Sequence, residues 1–131
     1  MVGGLVMTQS RFLQGVVEIL GPNTVRINGV GKPKEVMLPS EVVSWIKDNY
    51  PVYRILEELV THYKFRARLS NPGSFKSLLL LLYARAKGIA PYRVARQYGV
   101  APEQLYRMER GLKKDNLYDF VINLLSIRAA K

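Results

Sequence analysis

The chain has no cysteine and a single histidine, His62. The first absence excludes disulfides, thiolate metal sites and cysteine nucleophiles. The second leaves His62, between Thr61 and Tyr63, without a second histidine or cysteine to complete a metal site or a catalytic triad. Acidic charge is also scarce: ten Asp and Glu stand against twenty Lys and Arg, for a formal net charge of +10 and a pI near 10.0. Long apolar runs are missing too. The densest, residues 78–84, falls far short of the roughly 20 residues of a membrane helix. The first seven residues show no charged segment leading into an apolar stretch of signal-peptide length. These absences lead to the expectation of a soluble, cytoplasmic protein. Absent cysteine, abundant Arg and Tyr, and seven prolines also hint at a heat-adapted source.

What is present is a chain of 131 residues, 48% hydrophobic, enough for one ordinary domain or two small ones sharing a core. The cationic excess raises the expectation of a polyanionic partner, because neutralised phosphates release counterions and drive binding. Enzymatic chemistry has little support. Glu57 and Glu58 point in different directions from one helix, and Gly29-Val-Gly31-Lys32 is too short for a phosphate loop and reads as a turn between strands. No enzyme activity, cofactor or metal is expected.

Residues 11–38 read as β-rich. Val17 and Ile19 flank Glu18, Gly21-Pro22-Asn23 supplies a turn, Val25 and Ile27 alternate with Arg26, and residues 35–38 form a third short strand. Ser40 is the expected N-cap of a helix to about Asn49. Pro51 restarts the chain, and Val52, Ile55, Leu56, Leu59, Val60 and Tyr63 recur at helical spacing to about Leu69. Ser70-Asn71-Pro72-Gly73 is the strongest breaker, and divides residues 1–70 from 71–131.

The second part reads as four helices. Phe75, Leu78, Leu79, Leu82 and Ala86 stripe the first, which closes at Gly88. Pro91–Tyr98 closes at Gly99 and Pro102–Arg110 at Gly111. Leu117, Phe120, Val121, Leu124 and Leu125 stripe the last, to about Arg128. The expected fold is mainly α, a helical bundle preceded by a small N-terminal β-meander and two helices. Within it, Ala95 and Gly99 suit the close approach and left-handed turn of a helix-turn-helix, and Val94, Val100, Leu105 and Met108 suit its inner contacts.

Residues 85–111, and more loosely 75–128, resemble the phage-repressor (Cro-like, XRE) helix-turn-helix family. The resemblance rests on Lys87-Gly88, Ala95, Gly99-Val100, Leu105 and Glu109-Arg110-Gly111. It implies a DNA-binding domain over 71–131 whose third helix reads base edges through Pro102, Glu103, Gln104 and Arg107. Gln104 suits adenine, Arg107 guanine and Glu103 cytosine. Tyr92, Arg93, Tyr106, Arg110, Lys113 and Lys114 are the expected backbone contacts. The family usually places polar groups where this chain has Ala90-Pro91 and Pro102, so two of its usual contacts are altered here. Between residues 85 and 114, eight basic residues (Arg85, Lys87, Arg93, Arg96, Arg107, Arg110, Lys113, Lys114) face two acidic ones, Glu103 and Glu109; these cations either meet phosphates or, in several cases, solvate the fold or pair with Glu109.

Such proteins commonly bind as dimers on palindromes with half-sites about 34 Å apart. Residues 1–70 are a candidate dimerisation or protein-partner region, with Trp45, Ile46, Ile55, Leu56 and Leu59 as contacts. Alternatively, that stripe covers the β-meander and the Leu78–Leu82 helix within one chain. Lys64-Phe-Arg-Ala-Arg68 is a second basic cluster, either extending a DNA track or solvating a helix end. The functional expectation is a sequence-specific duplex-DNA-binding regulator, acting as a dimeric repressor. An antitoxin-like adaptor and a nonspecific architectural protein are the alternatives.

Overall fold

A computed structural model describes residues 15–129, and side chains as far as Ser126. Residues 11–14 of the expected β-rich segment, and the opening apolar residues 1–7, lie outside the described residues. The chain is mainly helical, with a small three-stranded antiparallel sheet near its N-terminal end. Strands β1 (Val17–Gly21), β2 (Thr24–Ile27) and β3 (Lys34–Met37) pair in sequence order. Register places Val17 opposite Ile27 and Val25 opposite Val36, and all four are buried on the inner face. Their neighbours Glu18, Arg26 and Glu35 align across the outer face, where Arg26 pairs with Glu18 at 3.0 Å and Glu35 at 3.6 Å. One alternation thus sets both the buried face and the charged ladder.

Helices α1 (Ser40–Asp48) and α2 (Tyr50–Thr61), a 3-10 turn (Phe65–Leu69), and helices α3 (Pro72–Lys87), α4 (Pro91–Gln97), α5 (Pro102–Lys114) and α6 (Tyr118–Ala129) follow. A proline occupies the first turn of α2, α3, α4 and α5, where its missing N–H costs nothing. Asn71 caps α3 by accepting the Ser74 N–H at 2.9 Å. Gly88 and Gly99 adopt φ of 69° and 70°, the left-handed geometry their turns require.

Three local expectations need correction. Ser40 is the first helical residue rather than the cap; the Pro39 carbonyl accepts the Val42 and Val43 N–H groups, and no side chain caps α1. Helix α2 stops at Thr61 instead of Leu69. The Thr61 hydroxyl turns back onto the Glu57 and Glu58 carbonyls at 2.8 and 3.2 Å, and His62 takes an extended backbone. The Nδ1 of His62 then accepts the Phe65 N–H at 3.1 Å, so the histidine opens the 3-10 turn. Tyr63 leaves the apolar stripe and is 77% exposed. Gly111 does not close its helix: α5 runs on to Lys114 and ends at Asp115 and Asn116, the latter at φ 61°.

Helix α3 is the hub. Phe75, Ser77, the run Leu78–Leu82 and Ala84 are all buried, so the helix is enclosed on nearly every side and not along one stripe. It touches β3, α1, the 3-10 turn, α4, α5 and α6. Buried residues from 17 to 125 form one hydrophobic cluster. Trp45, Ile46, Ile55, Leu56 and Leu59 belong to it, and the last four are fully buried. The α1–α2 stripe therefore covers the chain's own core, which corrects its reading as a dimer contact.

Candidate nucleic-acid interface

Helices α4 and α5 pack on each other and on α3. Val94, Ala95, Leu105 and Met108 are buried between them, with Val100 half-buried at the turn. The Val100 N–H returns to the Ala95 carbonyl at 2.9 Å across the Gly99 turn. This packing leaves one face of α5 outward. Glu103, Arg107, Arg110 and Lys114 recur at intervals of four, three and four residues, one helical stripe, and all are exposed. Pro102 and Tyr106 are half-buried at its margin, and Gln104 and Lys113 are exposed to either side.

Within the stripe the roles divide. The Arg110 Nη2 donates to Glu103 Oε2 at 2.7 Å, and that contact holds the Glu103 carboxyl below the usual range. Arg107 makes no ion pair among the described residues. The Ser77 hydroxyl lies 3.3 Å from Gln104 Oε1 and donates to it, tying Gln104 to α3.

At the start of α4, Pro91 has no N–H and is buried. The Tyr92 N–H is taken by the Tyr106 hydroxyl at 3.3 Å. The Tyr92 hydroxyl accepts from Arg96 Nη1 at 2.7 Å, and the Arg96 guanidinium lies over the Tyr92 ring at 5.5 Å. Tyr92 and Tyr106 thus link the two helices, and Arg93 remains exposed beside them. Lys113 lies over the Tyr118 ring at 4.9 Å.

Arg85, on α3, is not part of the outward face. Its guanidinium grips Glu109 with Nε at 2.7 Å and Nη2 at 2.9 Å, and the Tyr118 hydroxyl donates to the same carboxylate at 2.9 Å. Burial alone pushes the Glu109 carboxyl up; the bonds from Arg85 and Tyr118, with the Arg85 and Lys113 charges, bring it below its ordinary range. The sequence carried a signal of this role: Glu109 sits four residues after Leu105 and three before Leu112, on the buried side of α5.

Two of the eight cations between residues 85 and 114 are therefore paired, Arg85 with Glu109 and Arg110 with Glu103. The other six, Lys87, Arg93, Arg96, Arg107, Lys113 and Lys114, have no acidic partner within that span. The basic 3-10 turn, hard to place from sequence, packs against α5. Arg68 runs across Gly111, where an added Cβ would lie 2.8 Å from its Cδ and Nε, and its Nε donates to Asp115 Oδ2 at 3.1 Å. This crossing is why the helix carries a glycine in mid-course.

At the other end of the molecule, the Tyr98 hydroxyl donates to Glu41 Oε2 at 3.0 Å, tying the end of α4 to the first turn of α1. Among the described residues no cluster of three or more His, Asp or Glu is placed to hold a metal, and no helix is long and apolar enough to cross a membrane. No family model matches the chain, nor does any curated protein or solved structure.

Proposed function

We propose that the chain is a duplex-DNA-binding regulator of the phage-repressor helix-turn-helix type, with α5 as the recognition helix. The observation that carries this reading is the outward stripe of α5, whose Arg107 and Lys114 make no ion pair among the described residues, with Arg93 and Lys113 exposed on the same helix pair, which is joined by a left-handed glycine turn. An exposed helix flanked by unneutralised cations suits the major groove and the phosphates beside it. Arg107 offers a planar pair of donors to guanine, and Gln104, with its amide nitrogen uncommitted, reads adenine beside it. Pro102 and Glu103 lie at the leading end, Glu103 held in place by Arg110. Arg93, Lys113, Tyr92 and Tyr106 border the stripe, Arg110 and Lys114 continue it, and all six reach backbone phosphates.

The regulator acts by occupying its site, as a homodimer on a palindromic operator. Its dimer contact lies outside the α1–α2 stripe, which the core has consumed. The test is selection of bound duplexes from a random pool at about 0.15 M salt with a nonspecific competitor. A palindrome with half-sites about one helical turn apart is the expected result. Recovery of no motif, with binding that falls steeply as salt rises, replaces sequence reading by nonspecific architectural binding. Absence of any duplex binding removes the proposal.

A further inference from the structure

Beside the recognition helix lies a groove of about 370 Å³, between α5, the 3-10 turn and the start of α3. Arg68 from the 3-10 turn and Arg107 from α5 line it together with the hydroxyl-bearing Ser74 and Ser77 of α3. No acidic residue lines it. Arg107 belongs both to this groove and to the outward stripe of α5, so an elongated polyanion lying along the stripe also meets the groove.

We infer that this groove seats a backbone phosphate of the bound duplex, which makes the 3-10 turn and the start of α3 a second contact row beside the recognition helix. The inference rests on the DNA reading above and adds a site to it. Arg68 is held ready for the role. Its stem crosses Gly111, and its Nε is fixed by Asp115, whose side chain is 5% exposed. The pairing uses one edge of the guanidinium and leaves the terminal nitrogens for an oxyanion. Little conformational freedom is lost when such a held arginine binds. The charge of the groove comes from the two guanidinium groups and not from the helix end, because Asn71 already accepts the Ser74 N–H. Arg66, exposed on the same 3-10 turn and without an acidic partner among the described residues, continues the cationic row outward.

The test uses the full chain and its selected duplex. Removal of Arg68 strands Asp115, so the informative variant is Ser74→Asp. Ser74 is the third residue of α3, where a carboxylate is favoured, so the fold is kept while a negative charge enters the groove. The melting temperature should stay at or above that of the parent. Duplex affinity should fall about tenfold, the loss of one charge-assisted contact, and the slope of log K against log salt should shrink by about 0.9. Ser44→Asp on α1, which makes the same change in net charge outside the groove, should alter affinity less than about twofold. Wild-type affinity and slope in Ser74→Asp, or an equal loss in Ser44→Asp, overturns the groove. If Arg107→Ala weakens binding while Ser74→Asp does not, the recognition helix stands and the groove falls. A parent chain that binds no duplex overturns both.

Discussion

Arg85 and Glu109 meet edge to edge across two helices, at 2.7 and 2.9 Å, with the acid side chain 7% exposed and the base 34%. Tyr118 closes the third side of the carboxylate, so α3, α5 and α6 converge on one buried charge. A carboxylate in that position is tolerable only while its partners stay.

Arg85→Ala should therefore cost about 2 kcal/mol of stability, less than the roughly 3–5 kcal/mol of a fully buried pair because Arg85 itself is partly solvated. Arg85→Lys should recover only part of this, since an ammonium cannot reproduce the two parallel bonds. Urea unfolding checks both. An unchanged midpoint in Arg85→Ala would show that water replaces the guanidinium without loss.

The same site sets an acid limit. The Glu109 carboxyl lies below its ordinary range in the folded chain, its burial outweighed by Arg85 and Tyr118. A depressed folded value gives stability that is present above the unfolded value of about 4.3 and lost as pH falls through the folded one. The parent should thus lose stability more steeply below about pH 4 than Glu109→Gln, which starts lower and responds less. Parallel slopes in acid titrations of the two would remove Glu109 as the cause.

Tyr98 gives the opposite limit. Burial, then its bond to Glu41 and the nearby Tyr83, raise the ionisation of its hydroxyl above the ordinary 10.0. A raised folded value gives stability that is present below the unfolded value and lost as pH rises through the folded one. Tyr98→Phe should cost about 1 kcal/mol at neutral pH and flatten the alkaline limb above about pH 10. Alkaline melting curves of both chains decide it, and an unchanged limb counts against the Glu41 bond.

Gly111→Ala isolates the Arg68 crossing. In an ordinary helix the change stabilises by about 1 kcal/mol. Here the new Cβ lies 2.8 Å from Arg68 Cδ and displaces the arginine from Asp115. The gain should appear in an Arg68→Ala background and vanish or reverse in the parent. A double-mutant cycle measures the difference, and additivity would mean that Arg68 swings aside freely.

On DNA, Arg107→Ala should cost about 1–3 kcal/mol at the selected site and relax preference at one base pair. Gln104→Ala should act in the same direction at a neighbouring pair. Uniform losses on every sequence would turn both side chains into phosphate contacts.

The strands, the glycine turns at Gly88 and Gly99 and the four helices of the second half were legible because each is dictated by residues a few positions apart. The errors arose where distant residues intervene. Gly111 reads locally as a helix stop, yet its lack of a side chain serves Arg68, 43 positions earlier. For Arg85 the local sequence leaves phosphate contact and pairing with Glu109 both open, and only the approach of Glu109, 24 positions later, selects the pair. The end of α2 was hidden for a different reason: Val60 and Tyr63 fit a helical stripe that carries across Thr61 and His62, and the side-chain bonds of those two to the backbone mark its end. Of the expected DNA-facing residues, those on α5 followed from the family resemblance. The Tyr92–Tyr106 link across the helix pair, 14 residues apart, did not.

The enclosure of α3 bears on how the molecule can be divided. Its leucines are covered partly by β3, α1 and the 3-10 turn, all of which precede Asn71. Cutting there would strip a wall from the hub and leave bare side chains that invite self-association. The α4–α5 pair is therefore not a portable cassette: grafted elsewhere without its N-terminal partner, it would arrive with an unfinished interior.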